Sequence, residues 1–264
     1  MNPGPAGPDG QYASIGGLDL YFEARGTGPP LLVLHGSLMT IEQMRGYTDR
    51  LAAQRRVVAI ELQGHGRTSD ADRPLRYELL ADDMAALLDH LGLAQADVFG
   101  YSLGAGVGVQ LAIRHPARVR RLVAMSVTYD SAGLHPELAT AVGDGDAVSQ
   151  LRGSPYHRAY QDVADDPQGW GALVARVLEL DRQPQHWPAS QIAELTAPVL
   201  LVVADNDIVR LEHAVDMIHL LGGGIAGDLH GLPAARLAVI PGTTHEGLQR
   251  RADWVVPMIK EFLD

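Results

Sequence analysis

Five consecutive residues, Gly100-Tyr101-Ser102-Leu103-Gly104, carry the strongest chemical signal in the chain. They close a short apolar run, Asp97 to Tyr101, and open a helical one, Leu103 to His115. A serine in a sharp strand-to-helix turn has strained backbone angles, and small neighbours let the chain pack closely around it. Its hydroxyl is then held at the strand end, with the helix N-terminus behind it to favour developing negative charge. A plain helix-capping serine has the same local pattern; the preceding buried strand sets this one apart. A serine hydroxyl attacks poorly until a neighbouring base takes its proton, and a base of near-neutral pKa points to histidine. Of eleven histidines, His245 stands out because it follows the run Arg236 to Ile240 and the turn Pro241-Gly242 near the C-terminus. The imidazole needs a carboxylate to hold one tautomer. Asp205 and Asp207 both follow the run Pro198 to Ala204, and Asp130 follows another.

These groups need a frame. Short β-branched runs at Leu18 to Ala24, Leu31 to Leu34, Arg56 to Leu62, Asp97 to Tyr101, Arg121 to Val127, Pro198 to Ala204 and Arg236 to Ile240 read as buried strands. Helical patterns separate them. In one, Leu80, Met84, Leu87, Leu88 and Leu91 share a face, and Gly92 follows as a stop signal. Buried strands joined by helices imply crossovers and a mostly parallel sheet, an α/β architecture. The alternation lapses between Ser131 and Gln191, a proline-rich stretch with two of the three tryptophans and no convincing strand. It reads as a helical lid inserted over 131–190. The core is then 1–130 and 191–264, with Met1 to Gly10 a disordered lead-in.

Composition narrows the function. With 264 residues, 46% hydrophobic and 20% charged, the chain can bury a sizeable core. A net charge of −11 argues against nucleic acid, which demands clustered Lys and Arg. The absence of cysteine excludes thiol catalysis, disulfides and zinc–thiolate sites, and fits a cytoplasmic location. No apolar run approaches a membrane span, and no secretory signal is evident. His213 and His219 lack metal-ligand spacing, and Gly222-Gly223-Gly224 lacks the Lys or Ser of a phosphate cradle, so neither a metal nor a cofactor is expected.

Several segments together resemble the α/β-hydrolase superfamily, in its lid-bearing esterase-like branch. Leu31-Leu32-Val33-Leu34-His35-Gly36-Ser37 is similar to the strand and oxyanion loop of that family. Glu61-Leu62-Gln63-Gly64-His65-Gly66-Arg67-Thr68-Ser69 is similar to its Gly-x-Gly-x-Ser loop, with Ser69 one place late. The order Ser102, Asp207, His245 matches. The resemblance favours Asp207 as the acid, because Ala204-Asp205-Asn206-Asp207 maps onto a Gly-x-x-Asp pattern; Asp205 is then left to bond loop amides. It also implies an oxyanion hole from the N–H groups of Ser37 and Leu103, with His35 as a buried support. Met39, Tyr101, Trp170 and Trp187 are the candidate substrate contacts. The implied activity is hydrolysis of a small carboxylic ester or lactone without a cofactor. Carbon–carbon bond hydrolysis, thioester hydrolysis, a perhydrolase reaction and a non-enzymatic small-molecule receptor use the same scaffold. A serine at the nucleophile position sets aside the relatives that use aspartate there.

Overall fold

Runs that are apolar at every position, such as Leu31-Leu32-Val33-Leu34, are satisfied by a strand covered on both faces. The computed structural model, which describes residues 10–138 and 146–264, builds them that way. Leu32 and Leu34 enter one apolar layer and Leu31 and Val33 the other. Eight strands form the sheet: β1 (Gly10–Ile15), β2 (Leu18–Arg25), β3 (Pro30–Leu34), β4 (Arg56–Ile60), β5 (Ala96–Tyr101), β6 (Val119–Met125), β7 (Val199–Asn206) and β8 (Arg236–Thr244). Their spatial order is β1-β2-β4-β3-β5-β6-β7-β8. β2 runs antiparallel to β1 and β4, and the remaining neighbours are parallel.

Helices cover both faces. On one side lie α1 (Arg45–Leu51) and the C-terminal helix Ala252–Leu263, which pack against each other. On the other lie α2 (Tyr77–His90) and α3 (Leu103–Arg114). The face of α2 with Leu80, Met84, Leu87 and Leu88 is buried. The helix stops where Gly92 takes φ +65°, a left-handed angle that ordinary side chains resist, and Leu93 N–H donates back to Leu88 O at 2.8 Å.

Between β6 and β7 the sheet gives way to helices: α4 (Ala147–Leu151), α5 (Pro155–Val163), α6 (Trp170–Arg182) and α7 (Ala189–Ala193). Prolines help start this segment's elements. Pro155 opens α5 behind Ser154, whose hydroxyl accepts from His157 N–H at 3.1 Å. α7 crosses the boundary expected at residue 190.

Two expectations change. Gly10 is not part of a lead-in: it begins β1, a strand missing from the sequence reading, while residues 1–9 lie outside the described part. β1 is an edge strand with only Ala13 and Ile15 buried, so it has no apolar run to betray it. The Pro241-Gly242 turn is also absorbed into a strand. β8 continues to Thr244, with an irregularity in its pairing between Ala204 and Asn206, and His245 follows directly.

Candidate active site

Ser102 sits between β5 and α3 with φ 54° and ψ −115°, a region that costs a non-glycine residue about 1–3 kcal/mol. The surroundings enforce it. Its N–H donates to Met125 O at 2.9 Å, and its carbonyl accepts from Ala105 at 2.9 Å and Gly106 at 3.0 Å. The neighbouring glycines are sterically required. A Cβ on Gly100 would stand 2.2 Å from Gly104 O, and one on Gly104 would stand 2.3 Å from Leu34 O. The helix start is thereby pressed onto the ends of β3 and β5.

His245 Nε2 lies 3.1 Å from Ser102 Oγ, and its Nδ1 lies 2.9 Å from Asp207 Oδ1. Asp207 is buried, with Oδ2 accepting from Ala204 N–H at 3.0 Å. Burial alone would raise its carboxyl. The hydrogen bond and charge of His245, the Ala204 amide and the Ser126 hydroxyl outweigh that and hold it below the usual carboxylate range. The other two acids are engaged elsewhere. Asp205 accepts from Gly242 N–H at 2.8 Å and Thr243 N–H at 3.1 Å, tying the end of β7 to β8. Asp130 caps a short turn through Ala132 N–H at 2.8 Å and meets His186.

Sequence reasoning missed Ser126. It follows β6 with φ 58°, and its hydroxyl lies 2.7 Å from both Asp207 Oδ1 and His245 Nδ1. With its own proton given to the carboxylate, it can share the imidazole N–H with Asp207. The only clue in the sequence was its place at a strand end neighbouring that of Ser102.

The loop after β3 is held by two buried histidines. Leu62 N–H donates to His35 Nε2 at 3.1 Å, so His35 Nδ1 carries the proton and donates to Gly36 O at 2.8 Å. Leu38 N–H donates to His65 Nε2 at 3.1 Å, and His65 Nδ1 donates to Gln63 O at 2.9 Å. Burial pushes His35 down to about 3 and His65 down to about 4. Both are therefore neutral at pH 7. This bracing leaves Ser37, and across from it Leu103, on the wall of a cavity of about 100 Å³ that also contains Ser102. Neither N–H is engaged by another described residue.

None of the four expected substrate contacts lines that cavity. Met39 and Tyr101 are fully packed beneath the loop: a Cβ on Gly36 would lie 3.1 Å from each. Tyr101 also donates to His245 O at 2.9 Å. Trp170 is buried against His157 and Tyr160 within the insertion. Trp187 stands edge-on to Tyr77 at 5.3 Å and reaches the cavity only through that ring. The lining instead includes Tyr77, Thr128, Leu134, Asp181 and Gln185, three of them from the insertion. A larger cleft of about 730 Å³ opens between the 64–70 loop and insertion residues near Tyr160 and Leu173, without Ser102, Asp207 or His245. Among the described residues, no three His, Asp or Glu side chains gather as a metal site, and no helix is long and apolar enough to cross a membrane.

The family model for the alpha/beta hydrolase fold matches residues 29–173, more than half of the chain. The chain belongs to the α/β-hydrolase family. It is 30% identical to the dihydrolipoyllysine-residue acetyltransferase component of the acetoin cleaving system of Pseudomonas putida, over 97% of this chain and 70% of that one. It is 36% identical to the 2-hydroxymuconate semialdehyde hydrolase of Pseudomonas sp. strain CF600 over 130 residues, covering 47% of this chain and 46% of the relative. Carboxylesterase CesB from Bacillus subtilis superposes with a TM-score of 0.73 at 20% identity, covering 98% of this chain and 92% of that one, a likeness of fold.

Proposed function

We propose that this α/β-hydrolase is a serine hydrolase that cleaves a small carboxylic ester or lactone through an acyl-enzyme on Ser102. The observation that carries the reading is the continuous path from Ser102 Oγ through His245, at 3.1 Å, to Asp207, at 2.9 Å. Asp207 holds the Nδ1–H tautomer, leaving Nε2 free to take the serine proton as Oγ attacks the carbonyl carbon. Negative charge on the carbonyl oxygen develops against the Ser37 and Leu103 N–H groups, donors that need no rearrangement at the moment of reaction. The protonated His245 then gives its proton to the leaving alkoxide, and water repeats the sequence on the acyl-enzyme. The insertion over 131–190 acts as the lid and, with about 100 Å³ beneath it, favours short acyl groups.

Hydrolysis of p-nitrophenyl butyrate tests the reading. Sustained release that falls about 10⁴- to 10⁶-fold in Ser102→Ala supports it. A serine-directed phosphonate is expected to label Ser102 alone. Ligand binding with negligible turnover in the unaltered protein would instead indicate a small-molecule receptor.

A further inference from the structure

Asp181, in the last turn of α6, lines the same cavity as Ser102 and has no part in the chemistry just described. Its carboxylate has no hydrogen-bond or ion-pair partner among the described residues. The residue exposes surface, yet crowding by protein pushes its carboxyl up to about 6. Part of the residue forms the wall of the cavity. The fold gains nothing visible from a charge placed there. Neither Arg nor Lys lines this cavity among the described residues, and its other polar side chains are neutral. Gln185 and Thr128 are occupied with each other: Gln185 Nε2 donates to Thr128 O at 2.6 Å.

An ionised carboxylate on a cavity wall with no partner of its own favours a donor or a cation that meets it. A positively charged nitrogen supplies both. A second carboxylate brought to the same cavity sets like charges together and is disfavoured. Size adds a limit, since the cavity measures about 100 Å³. We propose that Asp181 sets the specificity of this site, selecting small esters whose acyl chain carries a protonated amine and rejecting those that carry a carboxylate. The proposal rests on the serine-hydrolase reading for its chemistry, and on the cavity alone for its charge preference.

Three p-nitrophenyl esters of matched chain length separate the two. Butyryl, β-alanyl and succinyl esters differ in a terminal methyl, ammonium or carboxylate. Their kcat/KM values are measured on the unaltered protein and on Asp181→Asn, with Asp181→Ser as a second variant should the amide fail to fold. Comparing ratios between proteins cancels the intrinsic reactivity of each ester. The expected result is a β-alanyl-to-butyryl ratio that falls about tenfold or more on loss of the carboxylate, and a succinyl-to-butyryl ratio that rises by a similar factor. Ratios that change less than about twofold overturn the assignment of Asp181. Butyryl turnover by the unaltered protein reports separately on the hydrolase reading. If it is absent, charge selection is read from binding of the three methyl esters to Ser102→Ala and to Ser102→Ala/Asp181→Asn. Equal affinities in that comparison overturn the proposal without any turnover.

Discussion

His65 gives a prediction whose size follows from its surroundings. The ring is completely buried, accepts Leu38 N–H on Nε2 and gives its only proton to Gln63 O. A second proton would have to enter on Nε2, facing an N–H group. In the unfolded chain an imidazole titrates near 6.5, whereas here burial moves it down to about 4. Below pH 6.5 the unfolded state therefore takes up a proton that the folded state refuses. The stability contributed is complete above that pH and is lost as pH falls toward about 4. Between pH 7 and pH 5 the loss from this residue is about 2 kcal/mol. His65→Gln retains one acceptor and one donor in about the same places but does not titrate. The variant is expected to be less stable at pH 7 by about 1 kcal/mol, and the gap to close or reverse, shifting by about 2 kcal/mol, at pH 5. Urea unfolding of both proteins at the two pH values measures this. The difference cancels other groups that titrate in the interval. His35 changes in the same direction as His65. Glu61, pushed up by burial to about 7, changes oppositely, its contribution being present below about 4.5 and lost as pH rises to 7. A stability gap that is the same at both pH values, within about 0.5 kcal/mol, refutes the claim that the fold holds His65 neutral.

The remaining predictions concern the site and its support. Asp207→Asn is expected to favour the wrong imidazole tautomer and lower kcat on p-nitrophenyl butyrate about 10²- to 10⁴-fold, whereas Asp205→Asn, at the half-buried end of β7 and bonded to β8 amides rather than to His245, leaves kcat within about threefold. Ser126→Ala removes one hydrogen-bond partner from both His245 and Asp207; kcat should fall about tenfold to a hundredfold with KM little changed, the scale of one bond to a charged group. Gly104→Ala forces a Cβ to within 2.3 Å of Leu34 O, and a thermal melt should show a loss of about 3 kcal/mol or more, or no cooperative transition.

The parts legible in the sequence were those that local pattern dictates. Buried strands appear as apolar runs, and the elbow at Ser102 appears because Gly100 and Gly104 are the residues that the close approach of backbone to backbone permits. β1 escaped because an edge strand with two buried residues has no run to read. Ser126 escaped because its role depends on the spacing of strand ends across the sheet. The same blindness explains the substrate contacts. Met39, Tyr101 and Trp170 have large apolar side chains, and such bulk is as readily consumed by packing as by lining a pocket. The residues that do line the cavity include Tyr77, given room by Gly106, where a Cβ would lie 2.4 Å from the ring, and Asp181, one of two acids in the last turns of an otherwise ordinary helix. Neither has a local sequence signature.

The bond between Ser102 and His245 joins residues 143 positions apart, and the one between Ser126 and Asp207 spans 81. The serine strand lies mid-sheet, while the histidine leaves β8, the last strand in sequence and the outermost on its side. Contacts of such long range form late, since loop closure must be met before pairing stabilises it. A folding intermediate with β3 to β7 already paired would have the bent serine backbone, but it would lack the base. Under the proposed mechanism Ser102 lacks its base until His245 has been made and β8 has paired, so a nascent chain emerging N-terminus first exposes the serine well before it can be activated.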